Sequence, residues 1–242
     1  MIEKLQCFGS HARLVGIAAA GARPRRHAAV VLANSGVVHR IGANRISVAV
    51  ARRLAADGFD TLRFDMSGLG DSSARDDGLA WESSAPLELS EGVDLVTRDY
   101  DRPVVLYGNC GGAAKSLWAA RRDERVRGLV LTNPPPHPAE RELDSSGTDL
   151  AERALETVAT DLEVLFARGV CAAFVYAEGD EGLDYYDRRL APRLAGGPAD
   201  ARLDVVRIAR SNHTFSPAVA RRAALEHIHD WVVGRFGQYD DA

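Results

Sequence analysis

The sequence predicts an α/β fold built on a mostly parallel central sheet covered by helices, and three observations carry the prediction. Apolar runs of strand length recur at 27–33, 61–65, 104–108, 126–132, 170–176 and 203–208. Several of the stretches between them place apolar residues at helical spacing. Strands that alternate with helices are joined by crossovers, which makes neighbouring strands parallel and covers both faces of the sheet. At 242 residues and 46% hydrophobic content, one domain spanning 1–242 can bury a substantial core.

The first 34 residues read as two strands around Gly21-Ala22-Arg23-Pro24, the second of them the nearly continuous apolar run at 27–33. Ile46, Val50, Leu54 and Ala55 then share a helical face, and Gly58 stands where a helix C-terminus belongs. The strand at 61–65 ends in a loop at 66–72 whose Gly68, Gly70 and Asp71 suit a supporting turn. An amphipathic helix is expected within 86–100, before Pro103 opens the next strand. After the strand at 126–132, Pro134-Pro135-Pro136 can continue neither a helix nor a central strand, so the chain leaves the sheet. Leu150, Ala154, Leu155, Val158, Leu162 and Leu165 give 137–168 a helical pattern, read as a small helical lid insertion. Two further strands follow, and a last helix runs from about Pro217 to Phe236.

Chemistry concentrates at 104–112, Val-Val-Leu-Tyr-Gly-Asn-Cys-Gly-Gly, where an apolar strand stops at Gly-x-Cys-x-Gly and turns helical. That is the pattern of a nucleophile elbow, with a thiol at the attacking position. Gly108 and Gly112 leave room where strand and helix backbones approach, Cys110 projects from the strand end, and the Gly111 N–H can face an oxyanion. An elbow nucleophile needs an acid and then a histidine in loops after later strands. Asp180 and His213 occupy those loops in that order. Glu178, Asp184 and Asp187 compete with Asp180, which sits closest to the expected turn position, while the later two fit the solvent face of the next helix. Cys7 and Cys171 lie in or beside apolar runs and read as buried small hydrophobes. His11, His27, His227 and His229 have nothing around them that suggests a site.

Over essentially its whole length the chain resembles the α/β-hydrolase superfamily, and within it small bacterial members with a cysteine elbow. The likeness rests on Asn34-Ser35-Gly36-Val37-Val38-His39-Arg40-Ile41-Gly42-Ala43-Asn44-Arg45, on Arg63-Phe64-Asp65-Met66-Ser67-Gly68-Leu69-Gly70-Asp71-Ser72, on the elbow, and on His213-Thr214-Phe215-Ser216. The resemblance implies Cys110 as nucleophile, His213 as base, Asp180 as acid, and the loop at Gly36-Val37 as a second oxyanion donor beside Gly111. His39, Arg40 and Arg45 are candidates for holding an acidic substrate group, although loop arginines commonly pair with local acids such as Asp65 or Asp71.

A thiol at a helix N-terminus beside an imidazolium favours the thiolate. Its acyl adduct is itself a thioester, so passage of the acyl group to water, an amine or an alcohol stays downhill. The expected reaction is therefore acyl transfer or hydrolysis of a thioester or ester, on a small-molecule acyl substrate that coenzyme A or a carrier protein could bear. Two alternatives stand beside it: a C–C or lactone hydrolase acting on a small acidic substrate, and a ligand receptor without catalysis. No cofactor and no metal is expected, because neither a ligand cluster nor a dinucleotide-type glycine loop is visible. A formal charge of −4 gives no pull toward nucleic acid or an anionic membrane. No apolar run approaches the roughly 18 residues of a membrane span, and three scattered cysteines fit a reduced cytoplasm.

Overall fold

The computed structural model describes residues 2–99, 101–136 and 147–239. Eight strands form one sheet: β1 (Glu3–Phe8), β2 (Leu14–Ala19), β3 (Ala29–Leu32), β4 (Asp60–Asp65), β5 (Val104–Asn109), β6 (Val126–Thr132), β7 (Cys171–Ala177) and β8 (Leu203–Ile208). Their spatial order is β1-β2-β4-β3-β5-β6-β7-β8. From β4 to β8 every pair is parallel, whereas β1 and β2 add an antiparallel edge. The expectation of two strands before residue 34 is corrected to three. The missed turn passes through Gly9 at φ +73° and a short 3-10 turn, Ser10–Ala12, with none of the usual hairpin dipeptides.

The helices are α1 (Ile46–Ala56), α2 (Trp81–Thr97), α3 (Gly111–Ala120), α4 (Gly147–Ala167), α5 (Glu181–Tyr185), α6 (Ala191–Leu194), α7 (Ala199–Arg202) and α8 (Ala218–Phe236), with a π-helical turn, Tyr186–Leu190, between α5 and α6. Helix α2 starts five residues earlier than its apolar pattern indicates. Ser83 and Ser84 N–H groups bond the Ala80 carbonyl, so the helix is already established when Pro86 arrives.

Side chains alternate along each strand, so the sheet carries two cores. Ala29, Val31, Leu62, Phe64, Leu106, Leu129 and Leu131 face α2, α3 and α4, and Val30, Leu32, Val105, Tyr107 and Val130 face α1 and α8. Each Val, Leu or Phe side chain among them, when fully buried, contributes about 1.5–3 kcal/mol of transfer free energy. Helix α4 forms the described part of the expected lid insertion. Leu155, Ala159, Leu162, Leu165 and Phe166 are buried in a core cluster shared with α3 and the strands, and 147–167 lies in the crossover that joins parallel strands β6 and β7. The rest of that insertion, 137–146, lies outside the described residues.

The chain runs from β3 to β4 on one side and returns to β5 on the other. Loops at the C-terminal ends of β3 and β5 therefore diverge, and the crevice between them is where parallel sheets place their sites.

Candidate active site

At the end of β5 the chain reverses into α3 through Cys110, whose φ of 51° and ψ of −124° are an unusual backbone conformation for a residue with a side chain. The neighbouring glycines are obligatory. A Cβ on Gly108 would sit 2.2 Å from the Gly112 carbonyl oxygen, and one on Gly112 would sit 2.6 Å from that of Asn34. The turn is fastened by Cys110 N–H to Thr132 O (2.9 Å) and Ala113 N–H to Cys110 O (2.8 Å). The thiol is left half-buried at the head of the helix.

His213 is brought to it from the loop after β8. Its Nδ1 lies 2.6 Å from Asp180 Oδ2, and its ring stands within hydrogen-bonding reach of the Cys110 thiol. Asp180 is buried at the N-cap of α5, where Oδ1 accepts from Gly182 N–H at 2.9 Å, so the carboxylate is aimed by its own helix. Glu178, Asp184 and Asp187 are exposed. The hydrogen bond to Asp180, then that to Cys110, pushes His213 up to about 10. The hydrogen bond from His213 holds the Cys110 thiol below its ordinary value, against burial, which opposes it. The pair is thus biased toward thiolate and imidazolium.

Asn133, which the sequence reading passed over, positions the histidine. At φ +43° its Nδ2 donates to His213 O (2.8 Å) and its Oδ1 accepts from Ala177 N–H (2.7 Å). Asn109 was passed over likewise: Nδ2 donates to Thr132 Oγ1 (2.7 Å) and Oδ1 accepts from Ser35 Oγ (2.9 Å), tying the loop after β3 to the elbow. The only local signal for either was an asparagine at a strand's C-terminal end.

That loop holds the expected oxyanion residues. The Gly36 N and Cα lie 3.3 Å from where a Cβ on Gly111 would be, so the loop abuts the first turn of α3, while the Val37 side chain is exposed. The unforeseen residue is Lys115. It is fully buried, and its Nζ donates to Gly36 O (3.0 Å) and Asn34 O (3.3 Å) and sits 4.5 Å from the Trp81 ring centre. Burial pushes its amine down to about 8.

Arg40 is occupied. Its guanidinium bonds Asp65 and, at 2.7 Å, Asp71, its backbone N–H bonds Asp65 Oδ1 at 2.6 Å, and the His39 ring packs on the same cluster. Arg45 is exposed at the N-terminus of α1 and joins none of these bonds. His39, Asp65 and Asp71 are the one group of metal-ligand type that lies close together among the described residues, and the Arg40 guanidinium already neutralises its acids.

A cavity of about 530 Å³ begins at Gly111 and is walled chiefly by apolar side chains, among them Trp81, Leu117, Trp118, Leu131, Val158 and Phe174. Glu82 is the one charged residue in its wall among the described residues. An uncharged group of medium size fits such a space, and among the described residues no cation lines it to meet a carboxylate.

Residues 25–191 match the family described as serine aminopeptidase, S33. No curated protein matches the sequence. Similar solved structures include the esterase domain of a Rhodothermus marinus protein (17% identity, TM-score 0.68, covering 96% of this chain and 98% of that one). An α/β serine hydrolase without lid from Xanthomonas campestris aligns at 16% identity with TM-score 0.66, over 100% of this chain and 96% of that one. A dienelactone hydrolase from Anabaena variabilis aligns at 18% identity with TM-score 0.66, over 96% and 98%. At these identities the likeness establishes the α/β-hydrolase fold. Where the matching family and the Xanthomonas protein are described by serine, this chain carries Cys110 at the elbow.

Proposed function

Because this chain belongs to the α/β-hydrolase family described as serine aminopeptidase, S33, we propose that it is an enzyme of that fold in which Cys110 replaces the serine and carries an acyl group. The observation that carries the reading is the neighbouring set of thiol, imidazole and carboxylate, with His213 beside Cys110 on one side and 2.6 Å from Asp180 on the other. A binding protein has no need of all three together.

In the proposed reaction the Cys110 sulfur attacks the acyl carbon, and the carbonyl electron pair moves to oxygen, where the Gly111 N–H and an N–H of the 36–37 loop receive it. Collapse restores the carbonyl and breaks the bond to the leaving thiolate or alkoxide, which takes the proton from His213. The incoming water, alcohol or amine then gives its proton to His213 as it attacks, and Cys110 departs as thiolate. Thiolate leaves far more readily than an unprotonated amine, so an amide goes forward only when His213 delivers its proton first, whereas a thioester does not depend on it. Thioesters and activated esters are the substrates this chemistry favours, with coenzyme A or a carrier protein bearing the acyl group. The aromatic and aliphatic walls of the cavity favour an uncharged acyl group, of medium chain length or aryl, over a small acid. Ring-opening of a small acidic substrate is less well supported, because Arg40 is engaged by Asp65 and Asp71.

Intact-mass spectrometry after incubation with a panel of acyl thioesters is the test. One acyl mass added to the parent protein and none to Cys110→Ala supports the reading. Turnover by Cys110→Ala at the parent rate overturns it.

A further inference from the structure

We infer that Lys115 is a positioning residue that clamps the backbone loop at Gly36 against the elbow and so presents that loop's N–H groups to a developing oxyanion. The inference rests on the reading of Cys110 as the acyl carrier. The chain has only two lysines and otherwise uses arginine for positive charge, yet one of the two is fully buried within the first turns of the elbow helix. All three of its N–H bonds have a destination: Gly36 O, Asn34 O and the face of Trp81. Among the described residues no carboxylate hydrogen-bonds it; the nearby Glu88 spends its oxygens on Ser67 N–H (2.9 Å) and Arg75 (3.1 Å). An ammonium buried without a bonded counter-ion is costly, and both of its hydrogen-bond acceptors belong to one short loop.

The geometry says what the clamp does. In a trans peptide the C=O and N–H point in opposite directions. Pinning the Asn34 and Gly36 carbonyls therefore fixes the directions of the Ser35 and Val37 N–H groups, and holds the Ser35–Gly36 peptide from both ends. Gly36, at φ +55° and with open space where a Cβ would be, has no side chain of its own to resist rotation. Ser35 Oγ on Asn109 is the second fastening. Arginine would not replace lysine here, because its planar fork cannot converge on two carbonyls and an aromatic face from within a packed helix.

The experiment compares the full-length protein with Lys115→Met, which keeps the length and removes every donor. Three measurements are made: amide hydrogen exchange in the peptide spanning 33–40, the acylation burst of 4-nitrophenolate from 4-nitrophenyl octanoate, and alkylation of Cys110 by iodoacetamide. Displacement at iodoacetamide develops no carbonyl oxyanion, so it reports the thiolate alone. The expected result is exchange in 33–40 faster by tenfold or more and acylation slower by about a hundredfold, the usual effect of losing an oxyanion donor. KM and the alkylation rate should stay within threefold. Unchanged exchange, acylation within threefold of the parent, or an equal loss of acylation and alkylation each overturns the inference. The exchange measurement stands whatever becomes of the Cys110 reading, which Cys110→Ala tests separately. If Lys115→Met does not fold, Lys115→Gln, able to reach one carbonyl, carries the same comparison with an intermediate loss expected.

Discussion

Lys115 also leaves a mark on stability that can be worked out in advance. Its amine is pushed down to about 8 by burial, against 10.5 for an unperturbed lysine, so folding disfavours the ammonium form by about 3 kcal/mol. The folded value is the lower one, which means that between about pH 8 and 10.5 the unfolded chain holds the extra proton. Stability contributed by this site therefore rises with pH across that window: the whole cost is present below pH 8 and is gone above 10.5. Lys115→Met has nothing to titrate there. The stability of the parent minus that of Lys115→Met should accordingly increase by about 3 kcal/mol from pH 7.5 to 10.5, measured by urea unfolding at fixed ionic strength. His213, pushed up to about 10, titrates in the same range with the opposite sign, but it is present in both proteins and drops out of the difference. A difference that stays flat within 1 kcal/mol, or that falls with pH, would show that the lysine is not held as a buried cation and refute the reasoning.

Other expectations are more direct. His213→Ala should shift the pH midpoint of Cys110 alkylation upward and abolish turnover, since it removes both the proton acceptor and the hydrogen bond that favours thiolate; an unmoved alkylation profile counts against the pairing. Asp180→Asn should slow turnover by about 10³- to 10⁴-fold through loss of the group that orients the imidazole, whereas exposed Glu178→Gln should stay within twofold, and the reverse pattern would mean that Glu178 is the acid. Iodoacetamide mapping at pH 6.5 should label Cys110 ahead of exposed Cys7, with Cys171 resisting in its buried strand; prior labelling of Cys171 would remove the assignment. Leu155→Ala, in the core, should cost about 2–5 kcal/mol of stability, while Val158→Phe, on the cavity wall, should shorten the accepted acyl chain with little loss of stability; an unchanged chain-length profile for Val158→Phe would mean the cavity is not the acyl site.

What was legible in the sequence was what is local. The elbow could be read because Gly108 and Gly112 answer a steric demand that adjacent backbone imposes, and strand–helix alternation specified the parallel sheet because each element buries a face with its own period. The β1–β2 hairpin escaped because β1 is half-exposed at the sheet edge, so Glu3–Phe8 lacks the apolar run that marks an inner strand. The leucines of 147–167 reported that a helix is buried without saying against what; they join a core cluster shared by α3 and the strands. Cys7 was expected to be buried and is exposed, for the same edge-strand reason. Lys115 was invisible because a lysine in a helix ordinarily faces water; its acceptors, Asn34 and Gly36, come from a loop some eighty residues earlier. Asn109 and Asn133 likewise serve partners about as distant.

The outer margin of the sheet has a practical corollary for anyone handling the protein. Among the described residues strand β1 has no neighbour beyond it, and Leu5 and Cys7 stand exposed two residues apart along the same side of that strand. Two molecules that meet margin to margin can become covalently stapled through Cys7 when air oxidises the sample, while the charges of Glu3 and Lys4 limit longer pairing. Storage without reductant should therefore yield a dimer band on a non-reducing gel that mercaptoethanol abolishes and Cys7→Ser never forms. Such a band would be an artefact of preparation rather than quaternary structure, and its persistence in Cys7→Ser would point to another thiol.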